Sequence, residues 1–270
     1  MGRPASAATR RWWVQRSVWV AGGLLIAAAA VAWVVTIRQA GTMSMPGMSG
    51  ASMSMNGMDA PVWSARDGLA FVGSWGVMMA AMMLPSAVPM IALYGTVARG
   101  RARAAPTAVF ALPYAVTWLA FGVPVYAVAA ALAEAVRSHP ALHDAAPYAV
   151  AGVLAAAGIY QFSAAKRACL RSCQNPLAFL ATRWRPGLAG AVRVGLAHAG
   201  YCLGCCWLLM VVLVAAGAMG LAWVLLVAAV VFVEKIGPRD LRLARLAGAA
   251  LVTLGVALAV HPAIASGLHG

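Results

Sequence analysis

Long apolar runs alternate along the chain with short polar connections rich in arginine. Val18 to Ile37 contains no Asp, Glu, Lys or Arg, and Val194 to Val233 is a charge-free run of 40 residues. A helix needs about 20 apolar residues to cross a bilayer, so the longer run has room for two crossings. Lipid offers backbone N–H and C=O groups no partners, which makes helices the expected element. The pattern predicts an all-α, polytopic bundle with seven spans, at roughly 18–37, 68–94, 106–133, 147–165, 192–217, 220–236 and 243–262. Counts of six and eight stay open. The fifth and sixth spans are divided only by Gly217-Ala218-Met219-Gly220, and Lys235, at the end of the short sixth span, is placed to snorkel to the interface.

Composition agrees with that class. Hydrophobic residues make up 63% and charged residues 10% of the chain, where a soluble domain carries about a quarter charged. Mean hydropathy is +0.84. The net charge of +14 sits in the connections: Arg3, Arg10, Arg11 and Arg16, then Arg99, Arg101 and Arg103, then Lys166, Arg167, Arg171, Arg183, Arg185 and Arg193, then Lys235, Arg239, Arg242 and Arg245. Only Arg38, Arg66 and Arg137 fall on the other side. The positive-inside rule then puts the N-terminus in the cytoplasm and the C-terminus outside. No basic patch on a soluble domain is present, so nucleic acid is excluded as a partner. The first run is longer than a signal-peptide core and reads as a retained anchor. The expected organisation is a basic cytoplasmic tail (1–17), an anchor (18–37), a Met-rich extracytoplasmic loop (38–66), a six-span membrane domain (68–262) and an outer tail (263–270).

This topology sorts the soft donor residues by depth. In the outer loop "MSMPGM" at 43–48 returns as "MSMNGM" at 53–58, placing Met43, Met45, Met48, Met53, Met55 and Met58 among small residues. Thiols oxidise outside the cell, whereas thioethers cannot form disulfides and need no deprotonation to coordinate. Thioethers and thiolates favour Cu(I) over Mg, Ca or Mn. The competing reading is a flexible linker.

Deeper in, span five carries "HAGYCLGCCWLLM". His198, Cys202, Cys205 and Cys206 share one face there, with Met210 at its edge. Gly195, Gly200 and Gly204 would admit another helix closely. Span two carries "WGVMMAAMMLPSAVPM", in which Met78, Met79, Met82 and Met83 form one face. Such a stripe also serves as core filler. Pro85 and Pro89 are expected to kink or break that span. At the inner end, "CLRSC" sets Cys169 and Cys173 on one face of a continuation of span four, beside Lys166, Arg167 and Arg171, whose charges favour thiolates. His139 and His143 lie i,i+4, but Pro140 argues against a regular helix between them.

Several classes are disfavoured. No Asp, Glu, Lys or Arg stands at the centre of any span, and Glu134 and Glu234 come only at span ends, unlike a proton-driven carrier. The chain has no Walker-type phosphate loop, no H-E-x-x-H and no serine-nucleophile motif. A non-enzymatic role is therefore favoured.

Four blocks resemble a bacterial family described as predicted metal-binding integral membrane proteins, a domain of unknown function. They are "WGVMMAAMMLPSAVPM" from Trp75 (with its Met-Met-x-Pro), "YQFSAAKRACLRSCQNP" from Tyr160 to Pro176, "GYCLGCCWLLM" from Gly200 (with its Gly-Cys-Cys-Trp), and Glu234-Lys235. The resemblance covers roughly 68–240. It implies a polytopic helical bundle in the bacterial cytoplasmic membrane and a metal role for the Met and Cys blocks. Gln174 stands where the pattern leads one to expect Arg. The Met-rich loop rests on this sequence alone.

The expected function is binding of a soft metal, Cu(I) first, for transport across the membrane or delivery within it, with a copper chaperone or metalloprotein as partner. Two rivals stay open: a membrane thiol-disulfide oxidoreductase, and a structural or assembly partner without metal.

Overall fold

A computed structural model describes residues 7–43, 65–98, 104–215, 221–237 and 242–261. Among these residues the regular structure is all helix: α1 (Ala7–Met43), α2 (Ala65–Val97), α3 (Ala104–Ser138), α4 (Pro140–Gln161), α5 (Ala164–Gln174), α6 (Pro176–Arg183), α7 (Gly187–Ala215), α8 (Leu221–Ile236) and α9 (Arg242–Val260). Five of them, α1, α2, α3, α7 and α9, are long and apolar enough to cross a membrane. The count becomes six if the bent pair α4–α5 is one crossing.

Two differences separate this count from the expected seven. Helix α8 has 16 residues, about 24 Å of helix against a hydrocarbon layer of about 30 Å. Its charged end also turns inward, as described below. The fourth expected span, 147–165, is not one rod: α4 stops at Gln161 and α5 restarts at Ala164, bent by 63°. Ser163 causes the restart locally. Its side chain accepts from the Lys166 N–H at 3.0 Å, capping a new helix. The cysteines of "CLRSC" therefore lie on a separate segment and not on a continuation of span four.

Prolines act by position. Pro140 is at the first turn of α4 with His139 as N-cap, so a regular helix does begin there, against expectation. Pro85 and Pro89 sit inside α2, which runs through both without a break.

The main core joins α2, α3, α7 and α8, with Leu170 of α5 and Phe179 and Leu180 of α6 closing one end. The indole Nε1 of Trp75 donates to the Trp118 carbonyl at 3.1 Å and ties α2 to α3. A smaller core of Ala151, Leu154, Ala157, Val212 and Leu258 joins α4, α7 and α9. There the helices touch through glycine: a Cβ on Gly158 would lie 2.7 Å from the Gly248 carbonyl oxygen. Small residues of this kind let helices pack closely where apolar burial gives little drive. Outward faces stay apolar, with Leu24, Val31, Leu112, Leu132, Leu246 and Val260 all exposed.

Candidate metal centre

Helix α7 brings Cys202, Cys205 and Cys206 to its buried side, all at 2% exposure or less. Helical spacing puts all three on one face, and the Cys205 and Cys206 thiols both donate to the Cys202 carbonyl at 3.0 Å. A fourth sulfur arrives from α5, which packs along α7. The sulfurs of Cys173, Cys202 and Cys205 lie within 4.8 Å of one another. A metal with bonds to sulfur of about 2.3 Å holds two sulfurs at most about 4.6 Å apart. The three thiols are thus close to ligand spacing before any metal arrives. All five cysteines are free thiols.

The two cysteines of the expected inner pair have different neighbours on α7. Cys173 belongs with the α7 cysteines, while Cys169 packs on Gly204, whose Cβ would come within 2.8 Å of its sulfur. Nor does Lys166 serve the thiols. Its ammonium, 1% exposed, pairs with Glu234 at 2.7 Å. Of the three glycines expected to admit a neighbour, Gly195 does so, since a Cβ there would collide with the Phe110 carbonyl of α3. Gly200 faces open space instead.

His198 stands one turn before Cys202, 4% exposed, in an aromatic box. Its ring stacks on Tyr114 at 5.5 Å and Phe110 at 6.0 Å, and meets Phe179 edge-on at 5.8 Å. Neither imidazole nitrogen has a hydrogen-bond partner. A buried polar group left unpaired is costly, so two such nitrogens beside a thiol cluster fit a site that takes a further ligand.

On α2, Met78, Met79, Met82 and Met83 are all buried at 4% or less, and Met210 of α7 is fully buried in the same core. The methionines of α2 face inward. Side chains from α3 and α8 link them to α7. Tyr114 Oη lies 3.2 Å from Cys202 Sγ and donates to the Met83 carbonyl at 3.3 Å. Lys235 Nζ lies 2.8 Å from Cys202 Sγ and 3.4 Å from both Met83 Sδ and Ser86 Oγ.

Lys235 is the largest departure from expectation. It does not snorkel; it is 6% exposed and points into the sulfur cluster. Nor is Glu234 a peripheral span end. It is 5% exposed, held by Lys166 and by Gln161 Nε2 at 3.3 Å, and its main-chain carbonyl accepts from Gln174 Nε2 at 2.7 Å. Charged residues expected only at span ends are thus buried in the protein interior. The available signal was Glu-Lys closing the charge-free run of 194–233, in place of a lone basic residue. Tyr114 gave no sequence signal.

The repeat methionines at 45, 48, 53, 55 and 58 lie outside the described residues, and Met43 ends the backbone of α1.

Fold and site together define an all-helical protein with a buried soft-donor cluster, several of whose helices are apolar enough for a membrane. The chain belongs to the family PpoB2, described as copper chaperone, whose model matches residues 72–258. The match takes in the Met face, the bent α4–α5 pair, the α7 cysteines and Glu234-Lys235. Comparison with curated proteins and with solved structures gives no match.

Proposed function

We propose that the chain is an integral membrane protein that binds Cu(I) through the sulfurs where α5 meets α7, and passes it on, by transport or by delivery to a partner metalloprotein. The observation that carries this reading is the gathering within 4.8 Å of Cys173, from α5 beyond the bend that ends α4, with Cys202 and Cys205 of α7. Soft sulfur donors select Cu(I), and membership in a copper chaperone family supports the same metal. Cys202 with Cys173 or Cys205 supplies the primary ligands. Cys206, Met210 and the unpaired His198 are further candidates within reach of the same helix face. The Met78, Met79, Met82 and Met83 face is the approach to the site, with Met43, Met45, Met48, Met53, Met55 and Met58 as an extracytoplasmic capture segment. Cys169 is the nearest onward thiol.

The bias of basic residues supports a bacterial cytoplasmic membrane with the N-terminus inside. The test is metal analysis of detergent-purified protein under reducing conditions, beside the triple variant Cys173→Ser/Cys202→Ser/Cys205→Ser. Near-stoichiometric Cu(I), lost in the variant, is expected. Copper content that the variant leaves unchanged would overturn the site.

The thiol oxidoreductase reading draws on the same spacing, because Cys173 lies close enough to Cys202 and Cys205 for exchange after a small shift. Mass mapping of thiol state separates the two. A Cys173 disulfide that cycles with respiratory state would favour oxidoreduction.

A further inference from the structure

Three basic or acidic side chains are buried at this end of α8, and only two of them form a salt bridge with each other. Lys166 and Glu234 pair at 2.7 Å, both almost fully buried. Lys235 is next in sequence to Glu234 yet turns away from it. Its ammonium meets Cys202 Sγ, Met83 Sδ and Ser86 Oγ, with no carboxylate among these partners. The other titratable groups that face it are Tyr114 of α3, on the Cys202 sulfur, and Cys205 and Cys206 of α7, while Gln161 holds the far oxygen of Glu234. The protein has thus placed an ammonium with no carboxylate partner between Cys202 of the thiols and Met83 of the Met face. A buried charge of this kind is expensive unless something of opposite sign joins it.

We propose that Lys235 is the counter-ion of the loaded site, a specificity-determining residue that tunes the cluster for a monovalent metal. The inference rests on the reading of the sulfur cluster as the copper site. Thiols bind metal as thiolates. Two thiolates and a monovalent metal carry one net negative charge, which Lys235 cancels. The same thiolates with a divalent metal are already neutral, and Lys235 then leaves a buried positive charge. Should a third thiolate join, a divalent complex is still one unit more positive than a monovalent one. Lys235 therefore tilts selectivity toward monovalent metal whatever the number of thiolates engaged. Its contact with Met83 Sδ puts this charge at the junction between the Met face and the thiols, where an arriving ion first meets Cys202.

The experiment compares full-length detergent-purified protein with Lys235→Leu, Lys235→Gln and Lys235→Arg. The affinities for Cu(I) and for Cd(II) are each measured by competition against a chromophoric chelator under anaerobic, reducing conditions. The readout is the ratio of the two affinities, which a general loss of folding quality does not shift in a fixed direction. In Lys235→Leu and Lys235→Gln, Cu(I) affinity is expected to fall at least about tenfold and the Cu(I)-to-Cd(II) ratio at least about a hundredfold. Lys235→Arg keeps the charge and should hold the ratio within about threefold of wild type. Lys235→Gln retains a hydrogen-bonding end for Ser86, so the proposal stays testable if the leucine variant misfolds. A wild type that binds Cu(I) and neutral variants with an unchanged ratio would overturn the counter-ion role and leave the copper site standing. A wild type that binds no Cu(I) would overturn the copper site itself.

Discussion

Glu234→Gln is the most informative single change outside the thiols. It preserves the shape of the side chain and removes only its charge. The Lys166 ammonium, 1% exposed and 2.7 Å from the carboxylate, is then left without an anion, while Lys235 adds a second buried cation nearby. At that distance the gross attraction is about 6 kcal/mol for an effective dielectric of about 20. Desolvation of both ions offsets much of it. What decides the outcome is the orphaned partner: removing one member of a buried pair costs about 3–5 kcal/mol. Lys166→Met in the same protein removes that orphan. The double variant should therefore be more stable than Glu234→Gln alone, although it carries one more substitution. A double-mutant cycle on unfolding of the four proteins in one detergent measures this directly. We expect a coupling energy of at least about 2 kcal/mol. Additivity within about 0.5 kcal/mol would show that the pair does not act as a buried ion pair, and would refute the reasoning.

Other outcomes follow from particular contacts. Gly195→Ala pushes a methyl group into the Phe110 carbonyl and should destabilise the α3–α7 contact by about 1–3 kcal/mol. Gly200→Ala meets nothing and should gain up to about 1 kcal/mol from helix propensity, both read by thermal unfolding. His198→Phe removes two unpaired nitrogens from an aromatic box. The metal-free protein should be unchanged or steadier by up to about 1 kcal/mol, while copper affinity falls. Equal copper affinity would remove His198 from the ligand set. Cys173→Ser should weaken Cu(I) binding more than Cys169→Ser, since only Cys173 lies in the close group of sulfurs. Chelator competition on the two variants checks the order.

The apolar runs showed the helical class plainly, because charge-free stretches of span length have few other physical uses. The α7 cluster and the Met face of α2 were legible too, since helical spacing alone puts Cys202, Cys205 and Cys206 on one side and groups the four methionines. What could not be read was packing between distant segments. Nothing local tells that the chain bends at Phe162–Ser163 and turns Cys173 back onto α7. Only Ser163 as a cap hints at it. Charged residues misled for a related reason. Lys166, Glu234 and Lys235 lie near span ends, where long side chains ordinarily reach water. Their burial depends on one another and on the sulfur of Cys202, and hydropathy treats each residue alone.

The most direct test is X-ray absorption at the copper edge on purified protein loaded with Cu(I), compared with the Cys173→Ser/Cys202→Ser/Cys205→Ser variant. The account predicts Cu(I) surrounded by sulfur in the wild type, with that signature lost in the variant. Copper bound through nitrogen and oxygen alone in the wild type, or a sulfur signature that survives the triple replacement, would contradict it.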